Sequence, residues 1–340
     1  MYETDSPEQA ALREAVRDFC RDHADGAGGP AGPAWQRLTG ELGLTGLAVD
    51  ERFGGMGAGF AEVAVAAEEL GRVLLPVPYL STALAGAVLN ETVLSEGHSE
   101  AAAALLPGLA SGELTAAFVF AGDITVAGGR LSGTAGNVLD GGEAGVFLVR
   151  AEGKLYAVRA ADAAVTAVGT LDQTRSQATV AFRDSPALET GADSDRAEDL
   201  TRVSLAAESV AAAEHCLDVT VAHLTNRQQF GRPIGAFQAL KHRCADLAVE
   251  VSSARATARA AVAAAAFDQG DLGVLAPLAK RYCVDVFWHV AAEMIQLHGG
   301  IGFTWEHEAH RYLKRAKTSQ LLLGTPGQLR RLVAHRAGLY

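Results

Sequence analysis

Three segments in the last third of this 340-residue chain carry residue types that could do chemistry. The first is Asn226-Arg227-Gln228-Gln229-Phe230-Gly231-Arg232-Pro233-Ile234, with Phe237-Gln238 just beyond. Arginine, an aromatic ring and glycine in one loop offer a guanidinium and backbone N–H groups to a phosphate. The same residues also make an ordinary turn between two helices. The second is Gln296-Leu297-His298-Gly299-Gly300-Ile301-Gly302-Phe303. Paired glycines let a ligand or another backbone approach closely, and the Gln296 amide both donates and accepts. A glycine-capped helix end has the same signature. In the third, Gly324-Thr325-Pro326-Gly327 follows the basic run Lys314-Arg315-Ala316-Lys317, and Thr325 also suits the N-cap of a final helix. His298, His307 and His310 raise the question of a metal. No third ligand lies at a suitable spacing, so these histidines are read as packing or surface residues and no metal is expected.

The elements that must position these segments follow from periodicity. Ser6 and Pro7 open a helix through Glu8–Val16, and glycine-rich breaks follow at Gly26–Gly32 and Gly54–Gly59. A helix over Ala61–Leu70 ends near Gly71, before Pro76 and Pro78. The alanine-rich stretch Ala83–Leu106 is expected to be helical, with a break near Gly97 and a stop at Pro107. Between Leu114 and Pro186 the pattern changes to short apolar runs, Ala116–Phe120, Val146–Arg150, Leu155–Val158 and Thr179–Phe182, separated by glycine turns. That spacing predicts a small antiparallel β domain. The helical signal then returns. Leu200, Val203, Ala207, Val210, Leu217, Val221 and Leu224 share a face, and further helices are expected over Ala236–Phe267 and Val274–Leu297. The expected architecture is α+β. A helical domain spans 1–113, a middle β domain 114–192, and a C-terminal four-helix bundle 193–340.

Composition narrows the function classes. Hydrophobic residues make up 49% and charged residues 20%, ordinary for a globular chain with a sizeable core. The net charge of -11 argues against nucleic-acid binding, which wants a basic face. No apolar run approaches the roughly 20 residues that span a bilayer, and the acidic start MYETDSPEQ lacks a basic leader, so neither a membrane nor a leader is expected. Cys20, Cys216, Cys244 and Cys283 lie far apart and form no CxxC pair. A cytoplasmic, soluble protein is the expectation.

The order and spacing of the three C-terminal segments resemble the C-terminal domain of the acyl-CoA dehydrogenase family. There, RxxFG, QxxGGxG and a Gly-Thr turn before the last helix contact FAD. The opening half agrees through Glu41-Leu42-Gly43-Leu44-Thr45-Gly46-Leu47, Phe53-Gly54-Gly55-Met56-Gly57 and Glu68-Glu69-Leu70-Gly71-Arg72. The resemblance implies that Arg227, Phe230 and Gln238 reach the ADP half of a FAD bound mainly by a neighbouring subunit. It also implies that Gln296, Gly299 and Gly300 line the same dinucleotide from the dimer interface, and that Thr325 touches it. The implied reaction is α,β-desaturation of an acyl-CoA thioester in β-oxidation. A carboxylate takes the α-proton and the β-hydrogen passes to the flavin, with electron-transferring flavoprotein as the usual acceptor. The base should have its pKa raised in a dry pocket, and hydrogen bonds to the thioester carbonyl should stabilise the enolate.

The chain departs from that family pattern at the base. Leu323 stands where a glutamate usually precedes Gly-Thr, and Thr201 stands at the minority position beside Arg202. Glu208, seven residues on and about 10 Å further along the helix, is left as a displaced base or as one half of an ion pair with Arg243 or Arg255. In the middle domain, Phe118-Val119-Phe120-Ala121-Gly122 and Gly136-Asn137-Val138-Leu139-Asp140 replace the segments that usually grip the flavin ring, while Leu171-Asp172-Gln173-Thr174-Arg175 survives. The pattern resembles the shorter subunit of actinobacterial heteromeric acyl-CoA dehydrogenases. In such a heterotetramer, a dimer of dimers, a full-length partner would supply the base and the ring contacts, for bulky substrates such as steroid side chains. The alternatives are a self-sufficient homo-oligomer using Glu208 and a non-catalytic structural subunit.

Overall fold

The computed structural model describes residues 5–23, 29–96 and 99–339. The expected break near Gly97, and part of the one at Gly26–Gly32, lie outside them. The chain forms two compact units. One comprises Gln9–Ala66 and Leu75–Thr201; the other comprises Met1–Glu8, Ala67–Leu74 and Arg202–Tyr340. Expected helical and sheet stretches follow one another along the chain, but compactness groups the first helices with the sheets.

The first unit opens with helices α1 (Pro7–His23), α2 (Pro33–Gly40) and the start of α3 (Phe60–Arg72), then α4 (Tyr79–Glu96) and α5 (Glu100–Ser111). The Ser99 hydroxyl accepts from the Ala102 N–H and so starts α5. Pro107 does not stop this helix, contrary to the sequence expectation. A proline withholds one N–H from the ladder, and the turns on either side carry α5 on to Ser111. Gly112, at φ 73°, then closes it by donating to the Leu109 carbonyl.

Eight strands follow: β1 (Ala116–Val119), β2 (Asp123–Ala127), β3 (Arg130–Leu139), β4 (Val146–Ala151), β5 (Lys154–Arg159), β6 (Ala163–Ala167), β7 (Gln177–Pro186) and β8 (Leu188–Asp193). They make two four-stranded sheets, ordered β1-β4-β5-β8 and β2-β3-β7-β6. The sheets are not wholly antiparallel as expected, because β1 pairs with β4 in parallel, with Ala116 opposite Val146 and Val119 opposite Val149. Parallel neighbours need a long crossover, and the β2–β3 hairpin, which belongs to the other sheet, provides it. Leu131, Val138, Phe147, Val149, Val180 and Phe182 fill the core that the two sheets share. The rings of Phe147 and Phe182 meet edge to face at 6.0 Å.

The second unit takes the end of α3 and most of α6 (Ser194–Asn226), a helix about 50 Å long at the usual rise. A two-stranded ribbon follows, β9 (Gln228–Gln229) with β10 (Arg232–Pro233), and leads into α7 (Gln238–Phe267). After it come α8 (Leu272–His298), α9 (Ala309–Leu321) and α10 (Pro326–Arg336). Helix α8 packs against α7, α9 and α10, burying Ala276, Lys280, Cys283, Val284, Phe287 and Met294. Among the described residues no helix is long and apolar enough to cross a membrane, and no group of three or more metal-ligating side chains comes together.

Candidate functional site

The first segment is shaped by a tight hairpin at the end of α6. Gln229 faces Arg232 and Gln228 faces Pro233, which leaves Phe230 and Gly231 as a two-residue turn. Both have positive φ, 54° and 75°, as a turn of type I′ requires. Glycine adopts that conformation freely, whereas for phenylalanine it is strained. The ring it presents is 89% exposed. It meets Phe237 edge to face at 6.0 Å, and the Arg232 guanidinium lies 4.1 Å over the Phe237 ring. The base of the hairpin is tied by the Ile234 N–H donating to the Arg227 carbonyl at 2.8 Å. Arg227 and Gln238 are both exposed, and among the described residues the Arg227 guanidinium has no ion pair.

The second segment ends α8. Gly299 takes φ 62° and donates to the Gln296 carbonyl, and both Gly299 and Gly300 face open space where a side chain would point. Gly302 is different, since a Cβ there would fall 2.6 Å from the Ile295 carbonyl oxygen. Gln296 is exposed.

The structure brings these two segments together through a stack of histidines. The ring of His223, one turn before Arg227, lies 4.3 Å from that of His298, which immediately precedes Gly299. His298 in turn lies 4.3 Å from His307. Burial pushes all three below the ordinary imidazole value, and each is further depressed by its neighbours, His298 and Arg227 beside His223 and His307 beside His298. The bond between His298 Nδ1 and the Met294 carbonyl, 2.7 Å, works the other way. His215 bonds Glu308 at 3.1 Å and holds that carboxyl below its usual value. His298 and His307, read from sequence as packing or surface residues, thus join His223 in splicing α6 to the end of α8.

The third segment stands apart. Thr325 caps α10 in a capping box: its hydroxyl accepts from the Gln328 N–H, and its own N–H donates to the Gln328 side chain at 2.8 Å. Its anchor on α8 is Lys280, whose ammonium donates to the carbonyls of Gly324, 2.8 Å, and Gln320, 3.2 Å. Lys280 and His298 are about 27 Å apart along α8. The chain therefore presents two patches, one carrying Arg227, Phe230, Gln296, Gly299 and Gly300 and the other carrying Thr325.

Neither standard base position holds a carboxylate. Leu323 is half-buried with φ 53°, and the Thr201 hydroxyl donates to the Ala197 carbonyl at 2.8 Å. Glu208 is buried and ion-paired with Arg315, a partner outside the two expected from sequence. Arg243 pairs with Glu293, and Arg255 with Glu214. Gly71 packs on Glu208 so closely that a Cβ there would lie 2.2 Å from its Cγ. The Arg315 partnership joins residues 107 apart and has no local signal. Lys280 was missed too, although its helical spacing to Cys283, Val284 and Phe287 places it on the buried face.

In the sheet unit, the segments 118–122, 136–140 and 171–175 are engaged by contacts within the protein. Phe118 stacks on Phe120 at 5.0 Å, and Arg150 lies over the Phe120 ring while pairing with Glu198 and Asp195. Asn137 sits at a bulge in β3 with φ 54°, and Asp140 accepts from the Ser81 hydroxyl at 2.7 Å. Asp172 accepts from both the N–H and the hydroxyl of Thr174.

Comparison with known proteins places this geometry. The profile of the acyl-CoA dehydrogenase C-terminal domain matches residues 196–338, and that of the N-terminal domain matches residues 6–113. Acyl-CoA dehydrogenase IpdE2 of Mycolicibacterium smegmatis is 36% identical over 339 residues, covering 97% of this chain and 99% of that protein. Acyl-CoA dehydrogenase FadE34 of Mycobacterium tuberculosis is 36% identical across 98% of this chain, which spans 48% of FadE34. Among solved structures, a chain of the Tcur3481-Tcur3483 steroid ACAD superposes with a TM-score of 0.84 at 28% identity, covering 97% of this chain and 99% of that one. With both terminal domains matched and a curated relative aligned nearly end to end, the chain belongs to the acyl-CoA dehydrogenase family of FAD-dependent oxidoreductases.

Proposed function

We propose that this chain is the FAD-completing subunit of a heteromeric acyl-CoA dehydrogenase that desaturates the α,β bond of a bulky, steroid-like acyl-CoA. The observation that carries this reading is the contrast within its own site. Arg227 and Phe230 are exposed on a segment that the His223–His298 contact links to the open Gly299–Gly300 turn, while Leu323 occupies the base position and Glu208 is locked to Arg315. A full-length homologous partner supplies the base and the contacts to the flavin ring. The similar Tcur3481-Tcur3483 steroid ACAD pairs two names, which supports a paired assembly and the substrate class.

The residues present fit a flavin dinucleotide. Arg227 is an exposed cation without an ion pair among the described residues, Phe230 is a strained exposed ring, and Gly299 and Gly300 leave room for close approach. When bound, FAD supplies the two-electron acceptor for the desaturation. Arg227 would neutralise phosphate charge, Phe230 and Gln238 would pack and hydrogen-bond the nucleotide, and Gln296 with its glycines would close over it. Thr325, on the separate patch, would serve the dinucleotide of a different interface in the same assembly. Electron-transferring flavoprotein is the proposed acceptor and the cytoplasm the proposed location.

A self-sufficient enzyme using Glu208 is disfavoured by the Arg315 ion pair, because a carboxylate already held by a guanidinium is a poor proton acceptor. The test is the visible spectrum of this chain purified alone and with a full-length homologue. A colourless chain and a yellow complex are expected, with Arg227→Ala lowering the flavin content of the complex and raising its dissociation constant for FAD about tenfold, a loss of about 1.4 kcal/mol. Stoichiometric flavin in the chain alone, or unchanged occupancy in the Arg227 variant, would overturn the reading.

A further inference from the structure

The turn joining α9 to α10 is built against local preference. Leu323 takes φ 53° and Gly324 takes φ 107°, so two consecutive residues leave the right-handed region. Glycine does this without strain, but a leucine there places its Cβ against the following carbonyl. Something must hold the turn from outside its own sequence.

Lys280 is in position to do so. It is among the largest side chains with no solvent exposure, and no carboxylate lies within ion-pairing distance of its ammonium among the described residues. Instead it grips the carbonyls on either side of Leu323, those of Gln320 and Gly324. Gln320 is tied a second time, its side chain donating to Asp285 at 2.9 Å, so α8 holds both sides of this corner. The contact also sets a cation at the C-terminal end of α9, where the helix dipole favours it. Thr325 follows at once, its hydroxyl and N–H already committed to the capping box.

We propose that Lys280 is a positioning residue that clamps Leu323 in its left-handed conformation and thereby fixes where the Gly324–Thr325 turn meets its ligand. The part concerning a ligand rests on the flavin-binding reading above; the clamp itself does not. Lys280 acts only through backbone carbonyls and touches no reacting group. Burial and the nearby Arg202 push its pKa down to about 7, with Asp285 opposing. Even the neutral amine keeps two N–H groups for two carbonyls, so the clamp holds on both sides of neutrality.

The test is a cycle of Lys280→Met, Leu323→Gly and the double variant, each in the complex with a full-length homologous subunit. Amide hydrogen exchange of residues 322–325 is read alongside the dissociation constant for FAD. Lys280→Met should keep its far-UV circular dichroism, speed exchange in the turn about tenfold, and weaken FAD binding by a similar factor. Leu323→Gly should restore most of both in the double variant, because glycine needs no clamp to stay left-handed. A merely structural role for Lys280 would give additive losses instead. Unchanged exchange in Lys280→Met, or no rescue by Leu323→Gly, overturns the proposal. Should Lys280→Met fail to fold, Lys280→Gln, which keeps an N–H donor, replaces it in the same cycle. A wild-type complex that binds no FAD would sink the flavin reading and leave the exchange readout to decide the clamp.

Discussion

Each unit of this protein carries an arginine whose surroundings decide what it can do, and the two surroundings are opposite. In the sheet unit, Arg150 lies 5.5 Å over Phe120 and is neutralised by Glu198 and Asp195. In the C-terminal unit, Arg227 stands at the base of the hairpin that exposes Phe230, with no carboxylate partner among the described residues. The first arrangement finishes its own electrostatics and binds the fold together. The second leaves a charge to be met by something from outside, which for a cation means an anion such as a phosphate. Identical residue types thus separate into structural and binding roles by what surrounds them.

The largest effect that would test this contrast lies in the buried interior of the C-terminal unit. Arg315→Ala leaves Glu208 without its guanidinium partner and should destabilise the chain by about 3–5 kcal/mol, read from the midpoint of urea unfolding. Glu208→Gln should also lower that midpoint, yet leave turnover per folded complex unchanged. Turnover abolished with stability intact would instead make Glu208 the base. Arg150→Ala should cost about 1 kcal/mol of stability and leave flavin content alone, because its partners belong to the protein. Flavin lost from that variant would erase the distinction between the two arginines.

A third test uses pH. His223, His298 and His307 all sit below their ordinary value of 6.5, so between that value and their folded values the unfolded chain binds more protons. Stability should therefore be level above about pH 6.5 and fall as pH drops below it. The charges facing the stack are Arg227 beside His223, Glu308 beside His298 and His307, and His310 beside His307, of which only Glu308 favours protonation. His298→Phe should make the fall of melting temperature between pH 6.5 and 5 shallower; an unchanged slope would show that these rings do not govern it. The smallest effect is expected at the hairpin tip. Phe230→Asn relieves the positive φ and should raise stability by up to about 1 kcal/mol while lowering flavin content.

Much of the architecture was legible because burial follows helical spacing in helices such as α7, at Leu247, Val251, Ala254 and Ala258. In α6 the expected face holds only in part: every residue from 199 to 213 is buried, whereas Val221 is exposed. The parallel pair β1 and β4 was legible for a different reason: both are almost wholly buried and read as unbroken apolar runs. β2 and β6 were not, since they lie on the exposed edges of their sheet and carry small or polar residues there. Pro107 misled because one missing N–H does not outweigh the capped turns around it. At the site, Arg227, Phe230 and the glycine pair announce themselves by type and spacing. The histidine stack, the Arg315 pairing and the clamp at Leu323 depend on residues far apart in sequence, and no local pattern encodes them.

The C-terminal unit has one more property. It takes the segment Ala67–Leu74 from within the first hundred residues, and there Gly71 lies against Glu208, Arg72 pairs with Asp218 at 2.5 Å, and the Tyr312 hydroxyl donates to the Arg72 carbonyl. A ribosome that has released only the early helices has made a piece of a core whose counterpart lies more than a hundred residues downstream. The late helices, expressed by themselves, would expose the groove meant for that piece. Autonomy of folding therefore does not follow the boundaries between helical and sheet-forming sequence. The non-local contact must close before the late unit is complete, which makes assembly of this half a slow, high-contact-order event.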